Sequence, residues 1–248
     1  MIYFIGAGPG AVDLITVRGM ELLKRADLVI YAGSLVNPEL LTYCGEGCEK
    51  MNSASMTLEE VIAAMAARPR TQTVVRLHTG DPSIYGAIRE QMDELDRLGY
   101  NYEVVPGVSS MNAAAAVLKA EYTLPGVSQT LIVSRMAGRT PVPEKEDIRS
   151  LAAHGASMAL FLSAGMLEKL CGELIEGGYA PDTPAAVVYK ATWPDEEVVK
   201  GTLETLPQKA AHLGRTALVL VGGFMGSEYE RSKLYDPAFS HMFREAKK

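Results

Sequence analysis

Residues 78–86, running His78-Thr79-Gly80-Asp81-Pro82-Ser83-Ile84-Tyr85-Gly86, hold three side chains able to accept or donate a proton. His78 suits a general base, because an unperturbed imidazole titrates near ~6.5. It equally suits a strand-end histidine bonded to a carbonyl, and the structural role is the favoured one. Asp81 followed by Pro82 fits an N-cap and a first helical position, so its carboxylate either caps a helix or works on a ligand. Tyr85 and Tyr31 read more readily as packing aromatics with one hydrogen bond than as catalysts.

Two other groups could recognise a ligand. Arg135 and Arg139 flank one loop, where forked guanidinium hydrogen bonds suit carboxylates; a solvated pair is the plainer alternative. Lys190-Ala191-Thr192-Trp193-Pro194-Asp195-Glu196 carries the single tryptophan of the chain. The following proline makes Trp193 extended or part of a turn, either packed on its own domain or lining a flat aromatic ligand. Gly6-Ala7-Gly8-Pro9-Gly10-Ala11 formally matches the dinucleotide fingerprint. Pro9 removes an amide that a phosphate would use, and Tyr31-Ala32-Gly33-Ser34 supplies no acidic residue for a ribose. A glycine loop that admits a bulky ligand close to the backbone therefore ranks ahead of nicotinamide binding. Cys44, Cys48, Cys171 and the four histidines lack the spacing of a tetrahedral site, so no metal is expected and the thiols read as reduced.

These side chains need elements to position them. Residues 2–5, 28–31, 73–77 and 102–105 are apolar or β-branched and predict strands. Helices are expected over 14–26, from a capping box at Thr57-Leu58-Glu59-Glu60, over about 85–98, and through an alanine-rich run ending near Lys119. Strand and helix thus alternate, as in a largely parallel sheet. Residues 130–133, 158–162, 185–189, 198–203 and 217–221 predict strands of a second half, the last two close enough to imply an antiparallel component. The expected organisation is an N-terminal α/β domain over 1–118, a linker over 119–128, a C-terminal α/β domain over 129–228, and a polar tail over 229–248.

Composition excludes several classes. Hydrophobic residues make up 48% and charged residues 22% of 248 residues, enough apolar material for a buried core. A formal charge of −6 disfavours a nucleic-acid-binding surface. No apolar run approaches the ~20 residues that cross a bilayer, and residues 1–5 lack the basic start of a signal peptide. A cytoplasmic protein without membrane or nucleic-acid partners is expected.

Three segments in order, each after a predicted strand, resemble the tetrapyrrole (corrin/porphyrin) C-methyltransferase family. They are Gly6-Ala7-Gly8-Pro9-Gly10-Ala11-Val12-Asp13-Leu14-Ile15-Thr16, Gly80-Asp81-Pro82-Ser83-Ile84-Tyr85-Gly86 and Val104-Val105-Pro106-Gly107-Val108-Ser109-Ser110. Residues 31–36, 138–144 and 188–196 resemble its corrin-building branch. The sequence departs from the uroporphyrinogen-type pattern at His78-Thr79-Gly80-Asp81, where that pattern has Gly-Gly-Asp, and at Tyr31-Ala32, where it has Tyr-Asp.

The resemblance implies two α/β domains with mixed sheets, S-adenosyl-L-methionine folded into the cleft between them, and a homodimer. It implies cofactor contacts from Pro9, Thr79, Gly80, Asp81, Ile84, Ser109 and Ser110, and from Leu162, Ala191, Thr216 and Ala217 in the second half. Asp81 is the first candidate for a base, Tyr85 or His78 the second. Arg135, Arg139 and Lys190 are the candidates for the macrocycle's carboxylates. A uroporphyrinogen or other precorrin substrate, an NAD-dependent oxidoreductase and a non-enzymatic tetrapyrrole carrier are the alternatives.

Overall fold

A computed structural model describes residues 1–214 and 216–246. The chain divides into two compact units: Met1–Ala113 with Lys190–Glu196, and Ala114–Tyr189 with Glu197–Lys248. Residues 190–196 thus belong with the first unit, although the sequence order sets them in the second half.

In the first unit, β1 (Ile2–Gly6), α1 (Val17–Lys24), β2 (Leu28–Tyr31), β3 (Glu49–Asn52), α2 (Leu58–Ala66), β4 (Val74–His78), α3 (Arg89–Arg97) and β5 (Tyr102–Val105) follow one another, and α4 (Ser110–Leu118) begins in this unit and ends in the second. The sheet order is β3-β2-β4-β1-β5, parallel throughout. Mixed sheets are the expectation for both domains; here every connection is a crossover, so no hairpin introduces an antiparallel pair. Side chains alternate between two buried faces. Ile5, Val29, Val75 and Leu77 pack with Leu22 and Leu23 of α1. Ile2, Phe4, Leu28, Ile30 and Val74 pack with Val61, Ile62 and Met65 of α2 and Leu95 of α3. Burial on both sides is why these strands are almost continuously apolar.

Two helices start later than expected. Residues 12–14 form a 3₁₀ turn and Ile15 is extended, so Thr16 becomes the N-cap of α1, accepting from Gly19 N–H at 3.1 Å. After β4 the chain makes one turn rather than a helix. Tyr85 (φ 55°) and Ala87 (φ 49°) are left-handed, which ends any helical run, and α3 begins only at Arg89. The capping box at Thr57 and Glu60 is formed as expected.

The second unit contains β6 (Leu131–Arg135), α5 (Ile148–Ala152), β7 (Ser157–Phe161), α6 (Leu167–Glu176), β8 (Pro184–Tyr189), β9 (Glu197–Thr202), α7 (Leu206–Lys209) and β10 (Ala217–Val221). Its sheet order is β6-β7-β10-β8-β9. Strands β6 and β7 are parallel, and the remaining pairs antiparallel, so this sheet is mixed. Its core joins Met158, Leu160, Val187 and Val219 to Leu170 and Leu174 of α6 and Leu206 of α7. The segment expected as a polar tail instead exposes Tyr229, Leu234, Tyr235, Phe239, Met242 and Phe243. Its last two residues, 247 and 248, lie outside the described residues.

The ends of β1, β4 and β5 touch backbone to backbone. A Cβ on Gly6 would lie 2.5 Å from Gly80 O and 2.6 Å from Gly107 Cα, and a Cβ on Gly107 would strike the same Gly80 carbonyl. Gly107→Ala is expected to lower the unfolding free energy by about 1–3 kcal/mol in urea titration, as overpacking does. Gly47→Ala, with no atom within 4 Å of the new carbon, is the control. Equal midpoints for the two variants would refute the close-packed junction.

Candidate active site

Because the first sheet is parallel, the loops after β1, β4 and β5 all leave at its carboxyl end, where α/β proteins hold ligands. Gly8 (φ 79°) and Gly80 (φ 58°) turn towards each other in backbone conformations that suit glycine. Gly8 N–H donates to Gly80 O at 3.3 Å and Gly80 N–H to Gly8 O at 2.8 Å. Asp81 then ties the third loop: its Oδ2 accepts from Gly107 N–H at 2.8 Å, while Oδ1 accepts from Ser83 N–H at 2.8 Å and from Ser83 Oγ. Asp81 is a turn anchor and not the helix cap expected from its proline neighbour. Burial pulls its pKa upward, but these bonds from Ser83 and Gly107 outweigh it and leave the pKa below the ordinary aspartate value. The carboxylate is therefore ionised at neutral pH, and the anchor weakens only as pH falls through that lowered value.

The glycine loop is clamped from both sides. Asn37 Nδ2 donates to Gly10 O at 2.9 Å, Trp193 Nε1 to Pro9 O at 2.8 Å, and Ala11 N–H to Thr192 Oγ1 at 3.0 Å. A Cβ on Gly10 would fall on the indole of Trp193. Ala7 N–H is engaged by His78 O at 2.7 Å. The amides of Ala7, Gly8 and Ala11 are engaged and Pro9 has none, so of residues 7–11 only Gly10 keeps an amide for a diphosphate. The dinucleotide reading loses support on that ground. An ionised carboxylate at the same sheet end fits instead a ligand bearing cationic and hydroxyl groups, as S-adenosyl-L-methionine does.

His78 is 4% exposed, tilted against Phe4 with ring centroids 6.0 Å apart, and its Nε2 has no hydrogen-bond partner among the described residues. Burial, aided by the charge of Arg76, lowers its pKa to about 3. A ring that refuses protons down to that value is a poor general base at neutral pH. Asp81, anchored through both oxygens, is a poor one as well. Tyr85 is 46% exposed at the same sheet end.

Around this junction lie Pro9, buried; Thr79, exposed; Gly80, buried; Ile84, half-buried; and Ser109 and Ser110, respectively buried and half-buried. Ala191 joins them, since Thr192 and Trp193 beside it hold the glycine loop. In the second unit, Leu162 (φ 54°, 65% exposed) follows β7, while Ala217 begins β10 and Thr216 precedes it. Strand β10 lies between β7 and β8, antiparallel to both, which brings these three residues to one end of that sheet. The expected carboxylate binders differ in kind. Arg135 donates to the carbonyls of Met136 and Thr140 (3.3 and 3.2 Å) and of Pro141 (2.7 Å), so its guanidinium shapes its own loop. Lys190 pairs with Asp195 at 2.5 Å and lies 5.4 Å from the Trp193 ring centroid. Arg139 is exposed.

Sequence reasoning overlooked Asn37 and Gly107, whose roles rest on contacts far along the chain. Only for Gly107 was there a signal, since it lies inside a quoted motif. Among the described residues no group of three or more His, Cys, Asp or Glu could hold a metal. No helix among them is long and apolar enough to cross a membrane.

A parallel sheet with an anionic, glycine-packed loop junction at its carboxyl end, followed by a mixed α/β unit, defines an enzyme-type α/β scaffold for a small organic cofactor. The family model for tetrapyrrole (corrin/porphyrin) methylases matches residues 1–207. The cobalt-precorrin-4 C(11)-methyltransferase of Methanocaldococcus jannaschii is 52% identical, covering 100% of this chain and 97% of that protein. Among solved structures, a cobalt precorrin-4 methyltransferase superposes with a TM-score of 0.89 at 48% identity, covering 91% of this chain and 96% of that one. The uroporphyrin-III C-methyltransferase of Thermus thermophilus, complexed with S-adenosylhomocysteine, gives 0.76 at 27% identity, covering 91% and 93%. The chain belongs to the tetrapyrrole (corrin/porphyrin) methylase family.

The buried histidine carries a pH prediction. Unfolded chains protonate His78 near pH 6.5 and the folded protein only near 3, so stability falls as pH drops from 6.5 towards 3. The slope from this residue reaches about 1.4 kcal/mol per pH unit. Urea midpoints should therefore fall less steeply on acidification in His78→Phe than in the wild type; parallel curves would sink the assignment.

Proposed function

We propose that this protein is an S-adenosyl-L-methionine-dependent C-methyltransferase of cobalamin biosynthesis, methylating C11 of precorrin-4 or cobalt-precorrin-4 to give the precorrin-5 stage. The observation that carries the reading is the loop junction itself: glycine-loop amides committed internally beside an ionised Asp81. The full-length likeness to cobalt-precorrin-4 C(11)-methyltransferases supports the choice of macrocycle and carbon.

The cofactor supplies a sulfonium-bound methyl group, electrophilic enough for an electron-rich ring carbon to attack. The chain's own part is placement. Gly80, Asp81, Thr79, Ile84, Ser109, Ser110, Pro9 and Ala191 are the proposed cofactor contacts of the first unit, and Leu162, Thr216 and Ala217 those of the second. Holding reactants in attack geometry contributes roughly 7–11 kcal/mol, which suits a site poor in bases. Tyr85 is left as the proton acceptor or hydrogen-bond donor nearest in character to the task. Arg139 is the proposed partner of a macrocycle carboxylate, with Lys190 second because Asp195 already neutralises it.

A homodimer and a cytoplasmic location complete the reading. The exposed apolar side chains of residues 229–243 support the dimer, since a second copy would remove them from water.

Calorimetry is expected to detect S-adenosylhomocysteine binding, weakened about tenfold or more in Asp81→Ala, the usual scale for removing a charge-assisted bond. Incubation with precorrin-4 or its cobalt form and an isotope-labelled methyl donor should put the label at C11 by NMR. Label at another ring carbon would replace the substrate assignment, label transferred to uroporphyrinogen III in a parallel incubation with that macrocycle would move the chain to that branch, and binding without transfer would make it a carrier.

A further inference from the structure

Arg76 lies in the middle of β4 on the face covered by α2 and α3, 8% exposed. It has no carboxylate ion-pair partner among the described residues. Its bonds go to neutral oxygens: Nη1 donates to Ile30 O and Nε to Gln91 Oε1, both at 3.2 Å. Gln91 is itself buried in the first turn of α3, and its Nε2 donates to Ala87 O at 2.9 Å. The direction of this chain is fixed. Turning the amide over would set its NH₂ against the guanidinium and its oxygen against a carbonyl. A cation on the acceptor side also polarises the amide and strengthens the bond it donates.

What the amide holds is the strained part of the β4 loop. Ala87 and Tyr85 both have left-handed backbone, and a Cβ on Gly86 between them would strike Pro82 O. Non-glycine residues remain in that region only when neighbours hold them there. The loop is thus pinned twice, independently. Gly80 and Asp81 are fixed by Gly8 and Gly107, whereas Ala87 is held through its carbonyl by Gln91. We propose that Gln91, braced by Arg76, is a positioning residue for the reaction: its amide sets the left-handed turn that presents Tyr85 at the carboxyl end of β4. This rests on the methyltransferase reading above, in which that end of the sheet meets cofactor and macrocycle.

Glutamine is required here for a specific reason. A glutamate would pair with Arg76 even better, but its carboxylate oxygen would face Ala87 O and repel it. Gln91→Glu therefore keeps the core contact and removes only the bond to the loop. The proposal predicts that backbone order parameters across residues 85–88 fall from the rigid range near ~0.85 to below about 0.6 in this variant. It predicts that kcat falls about tenfold or more, with S-adenosylhomocysteine affinity within about threefold of wild type because Gly80 and Asp81 keep their own anchors. A merely structural glutamine would lower the melting temperature while leaving kcat per folded molecule unchanged. Order parameters at 85–88 unchanged from wild type overturn the proposal, as does unchanged kcat.

If Gln91→Glu fails to fold, Arg76→Met/Gln91→Met replaces the whole polar pair by apolar side chains of similar bulk, a change cores tolerate. The same readouts then apply. Should the wild type transfer no methyl group to either precorrin-4 form, the functional reading fails by itself. Order parameters at 85–88 in the variants then decide the brace alone: a fall sustains it, and no fall ends it.

Discussion

The rest of the first unit depends on three strand ends packed without side chains between them. Gly6, Gly80 and Gly107 close the carboxyl ends of β1, β4 and β5 so tightly that a single methyl group has no room at Gly6 or Gly107. Parallel strands alone bring their following loops to one end of a sheet. The glycine contacts decide how near those loops come, and so whether Gly80 can bond Gly8 and whether Asp81 can reach Gly107 N–H. A site assembled from three separate loops acquires rigidity in this way.

That rigidity has a chemical consequence. Backbone amides committed to neighbouring loops are unavailable to an anion, and a carboxylate engaged through both oxygens is unavailable to a proton. The junction is thereby tuned for a cationic, hydroxyl-bearing cofactor and for placement in preference to acid–base work. Methyl transfer from a sulfonium suits it, because the electrophile comes ready-made. The buried polar pair under β4 extends the same logic. Arg76 and Gln91 are both buried, and the hydrogen bonds that run through them reach Ile30 O in β2 and Ala87 O in the loop.

Much of the framework was legible in residue order. Strands β2, β5 and β10 are apolar or β-branched runs whose bounds coincide with those expected, and the Thr57 capping box formed as read. Strand β3 was not legible: Glu49–Asn52 has no apolar alternation, and it exists because β2 offers a free edge to pair with. The helix expected from about residue 85 begins only at Arg89, because Asp81 caps a single turn and the left-handed Tyr85 and Ala87 interrupt the run. His78 was readable as a candidate base only until its burial was known. Arg135 likewise looked like a ligand binder until its loop carbonyls claimed it.

The sequence by itself determined the alternation of elements, the glycines at the strand ends, the motif order that marks the family, and the presence of Asp81 and Trp193. Those features are local, carried by propensity, periodicity and spacing within a few residues. Only the tertiary structure decided that Trp193 clamps Pro9, that Gln91 joins Arg76 to Ala87, and that His78 stays neutral. Each of these depends on the distance and burial of groups remote in the chain, and hydrogen-bond partners and desolvation do not exist until the chain has packed.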